Sequence, residues 1–136
     1  MMKRFSVMSV IGAFLLSAVM ALPVMAGDDS LQDVYAHYVK AQRAGDMEGI
    51  CKYINDGRTQ QLRSLPEAEQ KQKVEEMKKM APSEYSVIKE KIQGDNALLT
   101  LSGKSTAFDG GSREHRGYIR FIKEGGKWKV MEELWK

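Results

Sequence analysis

The chain is poor in the residues that usually staple an exported domain or mark a reactive centre. Among 136 residues there are one cysteine, two histidines and three prolines. A single cysteine excludes an intramolecular disulfide, so a fold outside the cytoplasm must rest on its core alone. Cys51, in GICKYI between Ile50 and Tyr53, reads as a small core residue; a reactive thiol and an intermolecular disulfide are the other readings. His37 and His115 have no ligand spacing, and neither a metal nor a cofactor is expected. GxSxG, Cys-His and phosphate-loop patterns are missing from residues 27–136, which leaves nucleophilic and nucleotide chemistry without a motif.

A long apolar run occurs only at the start. Lys3 and Arg4 precede an apolar stretch from Phe5 to Leu22, followed by Pro23 and the small-residue exit Val24-Met25-Ala26. That order is a secretory signal peptide, 1–26, with cleavage after Ala26 expected. The stretch is long enough to serve as an uncleaved anchor, but Pro23 and the exit favour cleavage. Gly27, not a cysteine, directly follows the cleavage site, so a lipid anchor is not expected. The expected product is a periplasmic or secreted domain, 27–136, without membrane association once the signal is gone. Charge of one sign then disappears too: 21 basic residues less two, against 18 acidic, is a net of +1. Nothing in that balance points to nucleic acid.

The first half of the domain is helical in period. Ser30 and Asp33 have capping-box spacing, Leu31, Val34, Tyr35, Tyr38 and Gln42 form one stripe, and Gly45 sits in the C-cap position. Asp46 caps a second, short helix to Tyr53 or Ile54, which Asn55-Asp56-Gly57 ends with turn chemistry. A helical turn from Thr59 leads to Pro66 and a charged helix with a thin stripe of Val74, Met77 and Met80 or Ala81.

After Pro82 the period becomes alternating. Four strands are expected at about 85–93, 97–107, 113–123 and 127–135, joined by short Gly-containing turns into an antiparallel meander. With Gly125-Gly126 as the last turn, Phe121 faces Val130, Ile119 faces Glu132 and Gly117 faces Leu134. With Gly94-Asp95 as the first, Ile92 faces Ala97, Glu90 faces Leu99 and Ile88 faces Leu101. The middle hairpin then places Leu101 beside Ile119 and Gly103 beside Gly117. The inner face would hold Ile88, Ile92, Leu99, Leu101, Ile119, Phe121, Trp128, Val130 and Leu134, with Glu90, His115 and Glu132 as polar members. The glycine pair either bends the sheet or leaves room for a ring, Tyr35 or Tyr38.

A long helix ending AQRAGDMEGICKYI, followed by a meander containing IKEKIQGDNALLTL and IKEGGKWKVMEELW, resembles the nuclear transport factor 2-like (cystatin-like fold) superfamily, and within it small exported bacterial domains of unassigned function. The resemblance covers about residues 30–136. It implies an α+β cone, with N-terminal helices packed in the concave face of a curved four-stranded antiparallel sheet and a pocket at its open end. The superfamily holds isomerases and cyclases beside members that only bind or assemble, and the isomerase motif does not map onto this chain, so no catalytic residue is carried over.

Two functions follow as expectations. The first is an exported ligand-binding or protein-assembly module without catalytic activity, its pocket drawing on Tyr35, Tyr38, Gln42, Glu90, His115 and Glu132 and taking a small apolar ligand. A homodimer through the outer sheet face would use Arg116, Tyr118, Arg120, Ile122, Met131 and Trp135, an aromatic-plus-arginine set. The alternative is a pocket enzyme acting on an apolar substrate, with Glu132 or Glu90 as general base and a tyrosine donating to an oxyanion. Against that, both glutamates sit on strands that edge the meander, where an inward charge can reach solvent or deter edge pairing.

Overall fold

A computed structural model describes residues 29–105 and 109–136. The expected signal peptide and the end of the second expected strand, residues 106 and 107, lie outside the described residues. Four helices, α1 (Leu31–Ala44), α2 (Met47–Tyr53), α3 (Asp56–Arg63) and α4 (Glu67–Met80), precede four strands, β1 (Glu84–Gln93), β2 (Asn96–Lys104), β3 (His115–Glu124) and β4 (Lys127–Trp135). The sheet is an antiparallel meander in the order β1-β2-β3-β4. The architecture is the expected α+β cone.

Local chemistry sets the ends of α1. The Ser30 hydroxyl accepts from the Asp33 amide at 3.1 Å and the Asp33 carboxylate accepts from the Ser30 amide at 3.4 Å, while Gly45 takes the left-handed conformation past the last turn. The stripe of α1 is buried from Leu31 to Gln42 and packs in one core with Leu99, Leu101, Ile119 and Phe121 from the two inner strands and Val130 from β4. Asp46 caps α2 through the Gly49 amide at 3.0 Å.

Asn55-Asp56-Gly57 does not form a turn. Asn55 is the N-cap residue of α3, which opens at Asp56 and runs through Gly57, and the Asn55 amide donates to the Val130 carbonyl at 3.1 Å beside a short parallel bridge from Ile54 to Val130. This bond pins the α2–α3 junction to the middle of β4. On α4 only Val74 is fully buried; Met77 is half-buried and Met80 is 40% exposed. The thin stripe leaves a space between α4 and the rest of the cone.

Two strands depart from strict alternation, and both departures change which side chains face inward. Between Phe121↔Val130 and Arg120↔Glu132 the strand β4 holds one extra residue, Met131, a β-bulge. Beyond it the parity of β4 reverses: Ile119 pairs with Glu133, and Gly117 with Trp135. Glu133 and Trp135 therefore turn to the concave side, whereas Glu132 is exposed and Leu134 is 48% exposed. The expected inward Glu132 and Leu134 are corrected by that single residue. A second bulge, with Ile88 as the extra residue, lies between Val87↔Leu101 and Lys89↔Thr100. It sends Ile88 out, 49% exposed, and brings in Tyr85 and Val87, both packed on the core.

Glu90 and Ile92 keep the expected partners Leu99 and Ala97 but are exposed, Ile92 by 52%. The middle hairpin is displaced by two residues from the expected register, so Leu99 faces Ile119 and Leu101 faces Gly117. An even displacement keeps Leu99, Leu101, Ile119 and Phe121 on one face.

Candidate functional site

The bulge at Met131 brings a carboxylate, Glu133, to the concave face. Glu133 projects from β4 toward α1, and four side chains donate to it. Tyr35 Oη and Trp135 Nε1 each lie 3.0 Å from Oε2; Tyr38 Oη and Gln42 Nε2 each lie 3.3 Å from Oε1. Tyr35, Tyr38 and Gln42 stand at positions i, i+3 and i+7 of α1, one helical stripe, so one helix supplies three donors to one carboxylate. All four partners donate, which fills the roughly four acceptor positions of an ionised carboxylate.

Burial, then the Glu133 charge and its hydrogen bond, push Tyr35 well above the ordinary tyrosine range. Burial and Glu133 do the same to Tyr38, while the nearby Arg58 guanidinium pulls the other way. Both phenols are held as donors. Gln42 is 1% exposed; its Nε2 also reaches Tyr38 Oη at 3.4 Å, and its Oε1 has no partner among the described residues.

Trp135 fills the gap that the glycines leave. A Cβ on Gly117 would fall 2.7 Å from Trp135 Cη2, with two further ring atoms within 2.9 Å, and one on Gly103 would lie 3.0 Å from the same Cη2. The ring over this part of the sheet thus belongs to Trp135, not to Tyr35 or Tyr38, and Gly103 faces His115 rather than Gly117. Close approach of the indole to the backbone is what requires glycine at 117, while at Gly103 a Cβ would also fall 2.8 Å from the Glu84 carbonyl oxygen.

In front of this cluster a cavity of about 610 Å³ opens between α3, α4 and the end of the sheet. Tyr38, Gln42, Glu133 and Trp135 form its inner end, and Ile54, Leu62, Leu65, Met77 and Met80 its apolar wall. Arg58 borders it from α3. Arg58, Gln61, Leu62 and Leu65 recur at helical spacing, so one face of α3 and the residues after it line the space. Lys73 and Glu76 meet at 3.7 Å on the rim.

Of the six pocket residues expected from sequence, Tyr38 and Gln42 line the cavity, and Tyr35 sits behind Glu133. Glu90 and Glu132 are exposed, with Glu132 on the outer face 3.5 Å from Arg120. His115 is half-buried at the start of β3 and is not part of the cavity wall. Of the six outer-face residues, Trp135 has moved inside; Arg116, Tyr118, Arg120, Ile122 and Met131 remain on β3 and β4, with Lys136 Nζ 5.6 Å from the Tyr118 ring centroid. Glu133 and Arg58 were not expected at the site. Cys51 is buried, and burial pushes its thiol up, away from reactivity. No cluster of potential metal ligands occurs among the described residues.

Several solved structures share this architecture. A SEC-C motif containing protein from Rhodopseudomonas palustris aligns with a TM-score of 0.58 at 15% identity over 77% of each chain. A nuclear transport factor 2-like protein of unknown function from Silicibacter pomeroyi gives 0.52 at 15% identity, over 78% of this chain and 91% of that one. Another, from Shewanella baltica, gives 0.50 at 9% identity, over 77% and 88%. At such identities the likeness establishes the nuclear transport factor 2-like fold and transfers no residue's role. No protein-family model and no curated protein matches the chain.

Proposed function

We propose that the protein is a ligand-binding module that works after export and holds a small, mainly apolar molecule in the cavity between α3, α4 and the sheet, without transforming it. The observation that carries this is the state of Glu133. It is the carboxylate at the inner end of the cavity, and its acceptor positions are filled by Tyr35, Tyr38, Gln42 and Trp135. A general base needs a free lone pair within reach of the substrate proton. Glu133 would first have to lose one of its donors, whereas as an anchor it already fixes the tyrosines, the glutamine and the indole that shape the inner wall. The volume and the apolar wall suit a small ligand.

A neutral solvatochromic dye, Nile red, tests this. Saturable one-to-one binding is expected, with affinity falling by about tenfold or more when Met77→Glu places a charge in the apolar wall. Circular dichroism checks that the variant keeps its fold. Absence of saturable binding, or binding indifferent to Met77→Glu in a folded variant, would rule the proposal out.

A further inference from the structure

Among the described residues Arg58 has no counter-ion, in a cavity whose other charged groups are satisfied. Glu133 is covered by its four donors, and Lys73 pairs with Glu76. Arg58 Nη1 is buried and has no hydrogen-bond partner among the described residues. The guanidinium, Nη1 aside, lies close enough to the Tyr38 hydroxyl oxygen to hydrogen-bond to it and to oppose the effect of Glu133 on it, and Tyr38 donates its hydroxyl proton to Glu133. A neutral phenol thus stands between cation and carboxylate. A partly buried guanidinium lacking an anion costs stability unless something supplies the missing partner.

We propose that the cavity's ligand is an amphipathic monocarboxylate, its carboxylate paired with Arg58 and its hydrocarbon body against Leu65, Met77 and Met80. This rests on the ligand-binding reading above. The planar, forked guanidinium matches a carboxylate bidentately. The Glu133 charge behind Tyr38 disfavours a second negative charge on the ligand, which selects a monoanion over a dianion. The half-buried and exposed methionines give an adaptable wall for an apolar body.

The test is calorimetric titration of the protein, recovered after expression with its leader, with decanoate, decanol and decylamine. One-to-one binding of decanoate is expected, about tenfold or more tighter than decanol, with decylamine weakest. Arg58→Gln should bring decanoate to the level of decanol and leave decanol unchanged. Equal binding of decanoate and decanol, a preference for decylamine, or a carboxylate preference surviving in Arg58→Gln would overturn the inference. If Nile red binds but none of the three does, the carboxylate inference fails and the ligand-binding reading stands; if nothing binds, both fail. Should Arg58→Gln not fold, the order of the three ligands on the unaltered protein decides.

Discussion

Replacing Glu133 with leucine should be among the most destabilising changes available on β4, while the same change at Glu132 should be nearly silent. Glu133→Leu strands four donors. Tyr38 and Trp135 border the cavity and can turn to water, and the Gln42 amide can rotate to offer its unpartnered Oε1 to Tyr38. Tyr35, which is buried and does not line the cavity, has no such escape. One or two buried donors left unpaired, at about 1–3 kcal/mol each, less a small gain from the added apolar surface, put the loss at about 2–4 kcal/mol. Glu132→Leu removes only an ion pair whose side chains are 59% and 61% exposed, worth within about 0.5 kcal/mol. Urea denaturation followed by far-ultraviolet circular dichroism, with equal m-values required, measures both. A Glu133→Leu variant as stable as the parent, or a larger loss at Glu132 than at Glu133, would refute the parity reversal and the donor arrangement together.

Gly117→Ala should cost about 1–3 kcal/mol by the same assay, because its methyl would enter the space of the Trp135 ring; a neutral result would mean that the indole is elsewhere. Stability should fall in alkali for a specific reason. The folded state raises the tyrosines at 35 and 38 above their ordinary value of 10.0, so their contribution is present below about pH 10 and is lost as the unfolded chain, but not the folded one, gives up those protons. Each adds a slope of about 1.4 kcal/mol per pH unit there, and Tyr35→Phe should remove one such increment; an unchanged slope would show that Tyr35 is not buried against a charge. Mass spectrometry of protein released from a bacterial periplasm should give a chain beginning at Gly27, and an intact N-terminus would contradict cleavage after Ala26.

The helical half of the cone was mostly legible because its signals are local. Ser30 with Asp33, the stripe from Leu31 to Gln42, and Gly45 all do what their spacing implies. The inner strands were legible too: alternation places Leu99, Leu101, Ile119 and Phe121 inward, and a register error of two cannot move them. The edge strands were not, because a bulge adds one residue without any local mark, and neither Ile88 nor Met131 is adjacent to a glycine or proline. A non-local clue did exist. Gly117 and Gly103 asked for a ring, and among the last residues of β4 only Trp135 has one, which reaches the inner face only if the strand slips by one. That slip carries Glu133 inward with it. Arg58 stayed hidden because Asn55-Asp56-Gly57 has turn composition, yet the Asn55–Val130 bond lets a helix start there instead.

The most direct measurement is the set of nuclear Overhauser contacts made by the Trp135 side chain. The structure requires contacts from its ring protons to the Gly117 α-protons and from its indole N–H to the Tyr35 ring, since the indole nitrogen and the Tyr35 hydroxyl share Glu133 Oε2. Contacts from the Leu134 methyls to Gly117, with Trp135 showing none to Gly117 or Tyr35, would mean that β4 runs without its bulge and that Glu133 does not end the cavity.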